Sequence, residues 1–273
     1  GPMRVDEGVV EWMLLIAGTI SMSFYVFVGR WSDRVGRKKP IIIGALASLA
    51  LLFPVFWGIG SLANPGLQDS ASAAPVTVNG PACEYDPFAE VQASACGRAL
   101  QDLTALGVPY TIGEGPEAEL SIGGARHSYV DLPPDTRRAI IQGWLETNGY
   151  SFERQTPPLA SILGIIGLLL VLGMLSALTY GSVAALLSEM FPAKIRYSSM
   201  SIPYHIGAGY LGGFLPLIAG YIVAMTGNAY AGLWYTMAVV GFGLIVAWWG
   251  LPDGPPRDFE DSGQGPPVSP ALP

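Results

Sequence analysis

Five cations and one carboxylate are packed into the ten residues Arg30-Trp31-Ser32-Asp33-Arg34-Val35-Gly36-Arg37-Lys38-Lys39. Asp33 stands within a few residues of Arg34 and Arg37, where a carboxylate accepts charge-assisted hydrogen bonds from guanidinium. Gly36 permits a tight turn beside it, and Gly29, just upstream, permits close helix approach. Far along the chain, Glu189-Met190-Phe191-Pro192-Ala193-Lys194-Ile195-Arg196 supplies a second carboxylate and a second guanidinium, complementary to Arg34 and Arg37. The chemistry these types support is charge-assisted hydrogen bonding between the two segments, with Lys38 and Lys39 read as simple topology anchors. A second set sits in apolar surroundings: Glu11, Tyr180, Tyr204, and His205 between Pro203 and Gly207. Such groups can bind a polar ligand or share a proton, and an intramembrane ionisable residue is a functional candidate by default.

Two cysteines, Cys83 and Cys96, complete the reactive inventory. A bridge between them would close a fourteen-residue loop and constrain it by ~3 kcal/mol. No nucleophile–base pair, phosphate loop or metal constellation stands out, His127 being the nearest histidine to the cysteines in sequence. Neither enzymatic activity nor a metal or cofactor is expected.

The elements that must position these groups are membrane spans. Trp12 to Gly29 and Pro40 to Gly60 contain no Asp, Glu, Lys or Arg, and each is long enough, or nearly so, to cross ~30 Å of hydrocarbon as a helix. Leu159 to Leu187 is a third run of 29 uncharged residues, long enough to tilt. Tyr197 to Pro252 offers 56 more, too long for one helix. Two fit, about Ile202 to Met225 and Tyr230 to Gly250, turning at Thr226-Gly227-Asn228. The expected fold is therefore all-α integral membrane, with five transmembrane helices. Helices one and two occupy 1–60 and helices three to five 158–252, with an insert at 61–157. The tail, 253–273, is rich in Pro, Gly and Ser and is expected to be disordered.

Charge then orients the chain. Short basic loops stay in the cytoplasm, which puts 30–39 and 188–196 inside, the insert outside, the amino terminus outside and the tail inside. The net charge of −7 is segregated: 61–157 hold twelve acids against five arginines, and the remainder nine acids against nine cations. The one basic cluster is pinned between spans, so no nucleic-acid surface is expected. Both cysteines fall outside, where thiols oxidise. Within the insert, Phe88 to Leu106 and Asp135 to Asn148 have helical patterning, and Ala118 to Val130 fits a hairpin turning at Gly123-Gly124. Gly173, Ala177, Gly181 and Ala185 recur every four residues in the third span, and Gly209 and Gly213 repeat the device in the fourth. Both stripes read as close-packing faces.

The basic loop resembles the G-x-x-x-D-R-x-G-R-K/R segment of the major facilitator superfamily, with Gly29, Asp33, Arg34, Gly36, Arg37 and Lys38 at the matching positions. Glu189, Phe191, Pro192, Arg196, Tyr197 and Ser198 resemble its E-x-F-P-x-x-x-R-Y-S/T segment, and the following Tyr204-His205-Ile206-Gly207 and Gly212-Gly213-Phe214 are similar to the metabolite:proton symporter branch. Trp31 departs from the usual Leu, and Asp253 from a common Glu. The resemblance implies that the five spans are helices eight to twelve of a carboxyl-terminal bundle, working with an amino-terminal half that the chain does not contain. It implies secondary active transport in the cell's inner (plasma) membrane by alternating access, with protons and a small organic-acid or zwitterionic metabolite as partners. It also implies that Asp33, Arg37, Glu189 and Arg196 latch helix bundles at the cytoplasmic face. The competing reading is a membrane-anchored protein whose insert binds or senses an extracytoplasmic ligand; an anchor has no need of an ordered Asp–Arg–Glu network.

Overall fold

The computed structural model describes residues 5–81, 83–154, 156–191, 194–251 and 254, with Pro65 and Gln68 described by backbone alone. The expected disordered tail lies outside the described residues but for Gly254. Five helical stretches are long and apolar enough to cross a membrane. The first is α1 (Glu7–Val35) and the second α2 (Lys38–Ala63). The third comprises α6 (Leu159–Tyr180) and α7 (Val183–Met190), the fourth α8 (Arg196–His205), a π-helical segment (Ile206–Gly212) and α9 (Leu215–Thr226), and the fifth is α10 (Leu233–Gly250). Their large apolar side chains are widely exposed, among them Leu14, Phe27, Ile43, Leu163, Phe242 and Trp249. A helix with this surface is stable where its surroundings are hydrocarbon.

Two spans are less regular than their hydropathy implies. The third is not one tilted helix, because the chain breaks at Gly181 and Ser182. The fourth loosens into wider π turns where glycines recur, a distortion frequently found at functional sites. No atom stands within 4 Å of where a Cβ would project from Gly207 or Gly209, and at Gly213 a Cβ would strike the carbonyl of Gly209 in the same segment. Those glycines therefore relax a helix and do not form the packing face expected of them.

The described residues form two compact units. One contains 19–49, 173–213 and 239–251. In it the small-residue stripe of the third span packs as its spacing implies: a Cβ on Gly173 would collide with Ser21, Ala177 is fully buried, and Gly181 faces Val28. Gly44 of α2 approaches Leu178 and Thr179 just as closely. Gly29 is a correction, since nothing lies within 4 Å of its missing side chain, so it holds no helix contact in this structure.

The other unit contains 5–18, 50–172 and 214–238. Here Trp12, Trp57 and Trp234 are exposed near the ends of α1, α2 and α10, where indole rings favour a membrane–water interface. Beyond them lies a cap with a sheet, which the all-α expectation lacked. After α3 (Pro65–Ala73) come β1 (Val76–Asn79), α4 (Ala95–Leu106), β2 (Thr111–Gly113), β3 (Glu119–Ile122), β4 (Ala125–Ser128) and α5 (Pro134–Thr147). Strand order is β2-β1-β3-β4, with β1 parallel to β2 and antiparallel to β3. The β3–β4 hairpin turns at Gly123 and Gly124, whose φ of 56° and 90° suit glycine. Val76, Val78, Leu120 and Ile122 point from alternate strand positions into a core shared with Leu100 and Leu103 of α4 and Ile141 and Leu145 of α5. α4 is capped by Ser94, whose Oγ accepts from the Gly97 amide at 2.9 Å, and so begins later than the expected Phe88. Upstream, the Gln92 side chain ties itself to both backbone groups of Asp86, a bonding pattern that competes with helix.

Cys83 and Cys96 are bridged, their Cα atoms 4.9 Å apart, which ties the 84–94 loop to the first turn of α4. Non-reduced protein is therefore expected to show no thiol to a maleimide, and two after reduction. Labelling of both without reductant would refute the bridge.

Candidate functional site

The basic turn between α1 and α2 folds around Arg37. Gly36, at φ 91°, reverses the chain after α1, and its amide closes on the Ser32 carbonyl at 2.9 Å. Arg37 is thereby directed back toward the end of α1. Its Nη1 donates to Asp33 Oδ1 and to Ser32 Oγ, each at 2.6 Å. Its Nε and Nη2 donate to Glu189 Oε1 of α7, at 3.0 and 2.7 Å. One guanidinium thus joins the ends of two spans. Burial opposes its charge, but the bonds and charges of Glu189 and Asp33 outweigh that, raising its pKa above the ordinary arginine value.

Ser32, which the sequence reading did not single out, is fully buried and passes its own hydrogen to the Gly29 carbonyl at 2.8 Å. A hydroxyl adjacent to Asp33 at a helix end was the available signal. Arg34 is exposed and has no ion pair among the described residues. Arg196 donates from Nε to the Phe191 carbonyl at 3.2 Å, within its own loop.

A second polar group lies higher in the same unit. Tyr25 of α1 and Ser176 of α6 share a hydroxyl hydrogen bond at 2.7 Å. The hydroxyls of Tyr180, at the end of α6, and Tyr204, in α8, also interact. Tyr204 meets the edge of the His205 ring at 5.7 Å. His205 Nδ1 lies 2.7 Å from the Ser201 carbonyl, which can only accept, so Nδ1 carries the hydrogen. That leaves the Nε2 lone pair of the neutral ring for a ligand or a proton. Tyr180 is the last residue of α6, before the break at Gly181 and Ser182, and His205 the last of α8, where the span passes into its π-helical segment. The arrangement suits reversible binding of a small polar molecule, and no cluster suited to a metal ion occurs among the described residues. Glu11 belongs to the other unit, exposed on α1 without an ion pair among the described residues.

Against known proteins, no family model and no solved structure matches the chain. A glycine betaine/proline/ectoine/pipecolic acid transporter of Dickeya dadantii is 33% identical over 89 residues, 32% of this chain and 17% of that protein. A Staphylococcus haemolyticus protein named for proline and betaine transport is 35% identical over 85 residues, with 31% and 17% covered. The chain is a distant relative of metabolite transporters. A citrate-proton symporter of Klebsiella pneumoniae is 30% identical over 81 residues, covering 29% of this chain and 18% of the symporter. These kinships agree with the facilitator-superfamily resemblance of the two cytoplasmic motifs. The matched part is under a fifth of each relative's length. Five apolar helices make this transporter relative a membrane protein.

Proposed function

We propose that the chain serves in proton-coupled symport of a small organic acid or zwitterion, by alternating access. The single observation that carries this reading is Arg37, which bridges Asp33 and Glu189 and so ties the ends of the first and third spans. A membrane anchor gains nothing from such a bridge, whereas a carrier uses it to hold one access state. In this reading the bridge lies at the cytoplasmic face of the plasma membrane, and the cap and amino terminus lie outside. Tyr25, Ser176, Tyr180, Tyr204 and His205 line part of the substrate path, and His205 Nε2 is available to take the coupled proton. Alternating access needs two opposed bundles, and five spans supply less than two. The working carrier therefore includes a further bundle against which these helices rock.

The test is uptake of labelled betaine, proline and citrate by cells with and without the gene, in acidic and alkaline media. Loss of accumulation on deletion, restored by the gene and abolished by a protonophore, is the expected result. Uptake that does not depend on the gene, for these and related metabolites, would overturn the reading.

A further inference from the structure

The geometry points to the cap as a clamp on the fourth span: Tyr110 fastens the end of α9 to the cap, so that α9 cannot shift there unless the cap moves with it. The proposal stands on this contact and does not depend on transport.

The last carbonyls of a helix have no intrahelical partner, and near hydrocarbon an unpaired carbonyl is costly. α9 ends Ile222-Val223-Ala224-Met225-Thr226, followed by Gly227. The Ile222 carbonyl accepts from Thr226 Oγ1 at 2.6 Å, and the Val223 carbonyl from the Gly227 amide at 2.8 Å. The Ala224 carbonyl accepts from the Tyr110 hydroxyl, a group of the cap. The Tyr110 amide then donates to the Gly227 carbonyl at 3.2 Å, so one cap residue closes two backbone positions of the helix end.

The fit is close on both sides. Gly227 has φ 66°, and a Cβ there would overlap the Tyr110 carbonyl. Tyr110 is buried within the cap core, and its hydroxyl also meets Thr104 Oγ1 of α4 at 2.9 Å. Burial pushes this hydroxyl up to about 12, so it remains a neutral donor through the physiological range. α4 and β2 both pack beside α9, so the contact is broader than one side chain. At its other end α9 follows the π-helical segment Ile206–Gly212, in which a Cβ on Gly207 or Gly209 would meet no neighbouring atom within 4 Å.

Hydrogen exchange of the full chain in nanodiscs tests this. Tyr110→Phe keeps the ring and removes the hydroxyl's bonds to Ala224 and to Thr104. Amides near the end of α9 are expected to exchange several-fold to about ten-fold faster, as loss of one hydrogen bond implies, while those of Ala95–Leu106 stay protected. Unchanged α9 exchange with an intact cap would overturn the clamp. Should Tyr110→Phe unfold the cap, Gly227→Ala approaches the contact from the helix side, with every residue of the cap left in place. It is expected to speed exchange at 107–113, in the cap. Fraying of α9 alone, with 107–113 unchanged, would equally overturn the proposal.

Discussion

Arg37→Ala is expected to lower transport by the working carrier at least ten-fold while leaving the protein in the membrane at normal abundance. The Arg37 side chain is 11% exposed and its partner Glu189 21%. Removing the guanidinium strands a partly buried carboxylate, and charge-assisted bonds of this kind are worth about 1.5–3 kcal/mol each. A shift of about 1.4 kcal/mol between access states already changes their ratio ten-fold. Arg37→Lys is expected to recover little. Nε and Nη2 serve Glu189 while Nη1 serves Asp33 and Ser32, and a single ammonium cannot span both sets. Glu189→Gln is expected to cost more than Asp33→Asn, because the Asp33 carboxylate is 60% exposed and water screens its half of the bridge. Exchanging the charges with Arg37→Glu and Glu189→Arg is expected to restore part of the rate. Initial uptake normalised to membrane abundance measures all five proteins. Wild-type turnover in Arg37→Ala would reduce the loop to a topology anchor.

What could be read from the sequence follows the range of the interactions. The spans are legible because charge exclusion over about twenty residues is a local property, and α1 and α2 extend the uncharged runs by only a few residues at each end. The breaks are illegible to the same measure: Gly181, Ser182, Gly207 and Gly209 leave an apolar run apolar while changing its backbone. Glycine spacing is also ambiguous on its face. Gly173 needs its hydrogen because Ser21 stands against it, whereas Gly209 meets nothing, and only the fold separates the two. In the basic loop the residue types identified the ionic partners available, but not that Arg37 takes both carboxylates while Arg34 is exposed without an ion pair among the described residues and Arg196 bonds to backbone.

The cap shows the same division. The β3–β4 hairpin is announced by Gly123-Gly124, and α5 by its apolar spacing and Asn148-Gly149. Val76-Thr77-Val78 between Pro75 and Gly80 was a usable strand signal that the reading passed over. The β1–β2 pairing was beyond reach, because parallel strands meet only after α4 has crossed between them and Thr111–Gly113 is too short to show alternation.

Asp102→Ala is expected to be the most damaging single change to the cap. Asp102 lies on α4 with a side chain 5% exposed, and it accepts from Nε of both Arg137 and Arg138 of α5. Removing it leaves Arg137, 10% exposed, as a buried cation without its carboxylate. Breaking a buried pair from one side costs about 3–5 kcal/mol, a large part of the 5–15 kcal/mol typical of a whole domain. Arg138 is 56% exposed, so Arg138→Ala is expected to change stability by less than about 1 kcal/mol. Replacing both buried charges, with Asp102→Leu and Arg137→Met, is expected to recover most of the loss, because the penalty comes from the stranded charge and not from the missing contact. Protease sensitivity of the cap in vesicles, without reductant, ranks the three variants. α4 also packs beside α9, so the damage in Asp102→Ala is expected to reach the end of α9 as faster amide exchange. Equal protease resistance in Asp102→Ala and Arg138→Ala would show that the α4–α5 bridge contributes nothing to holding the cap together.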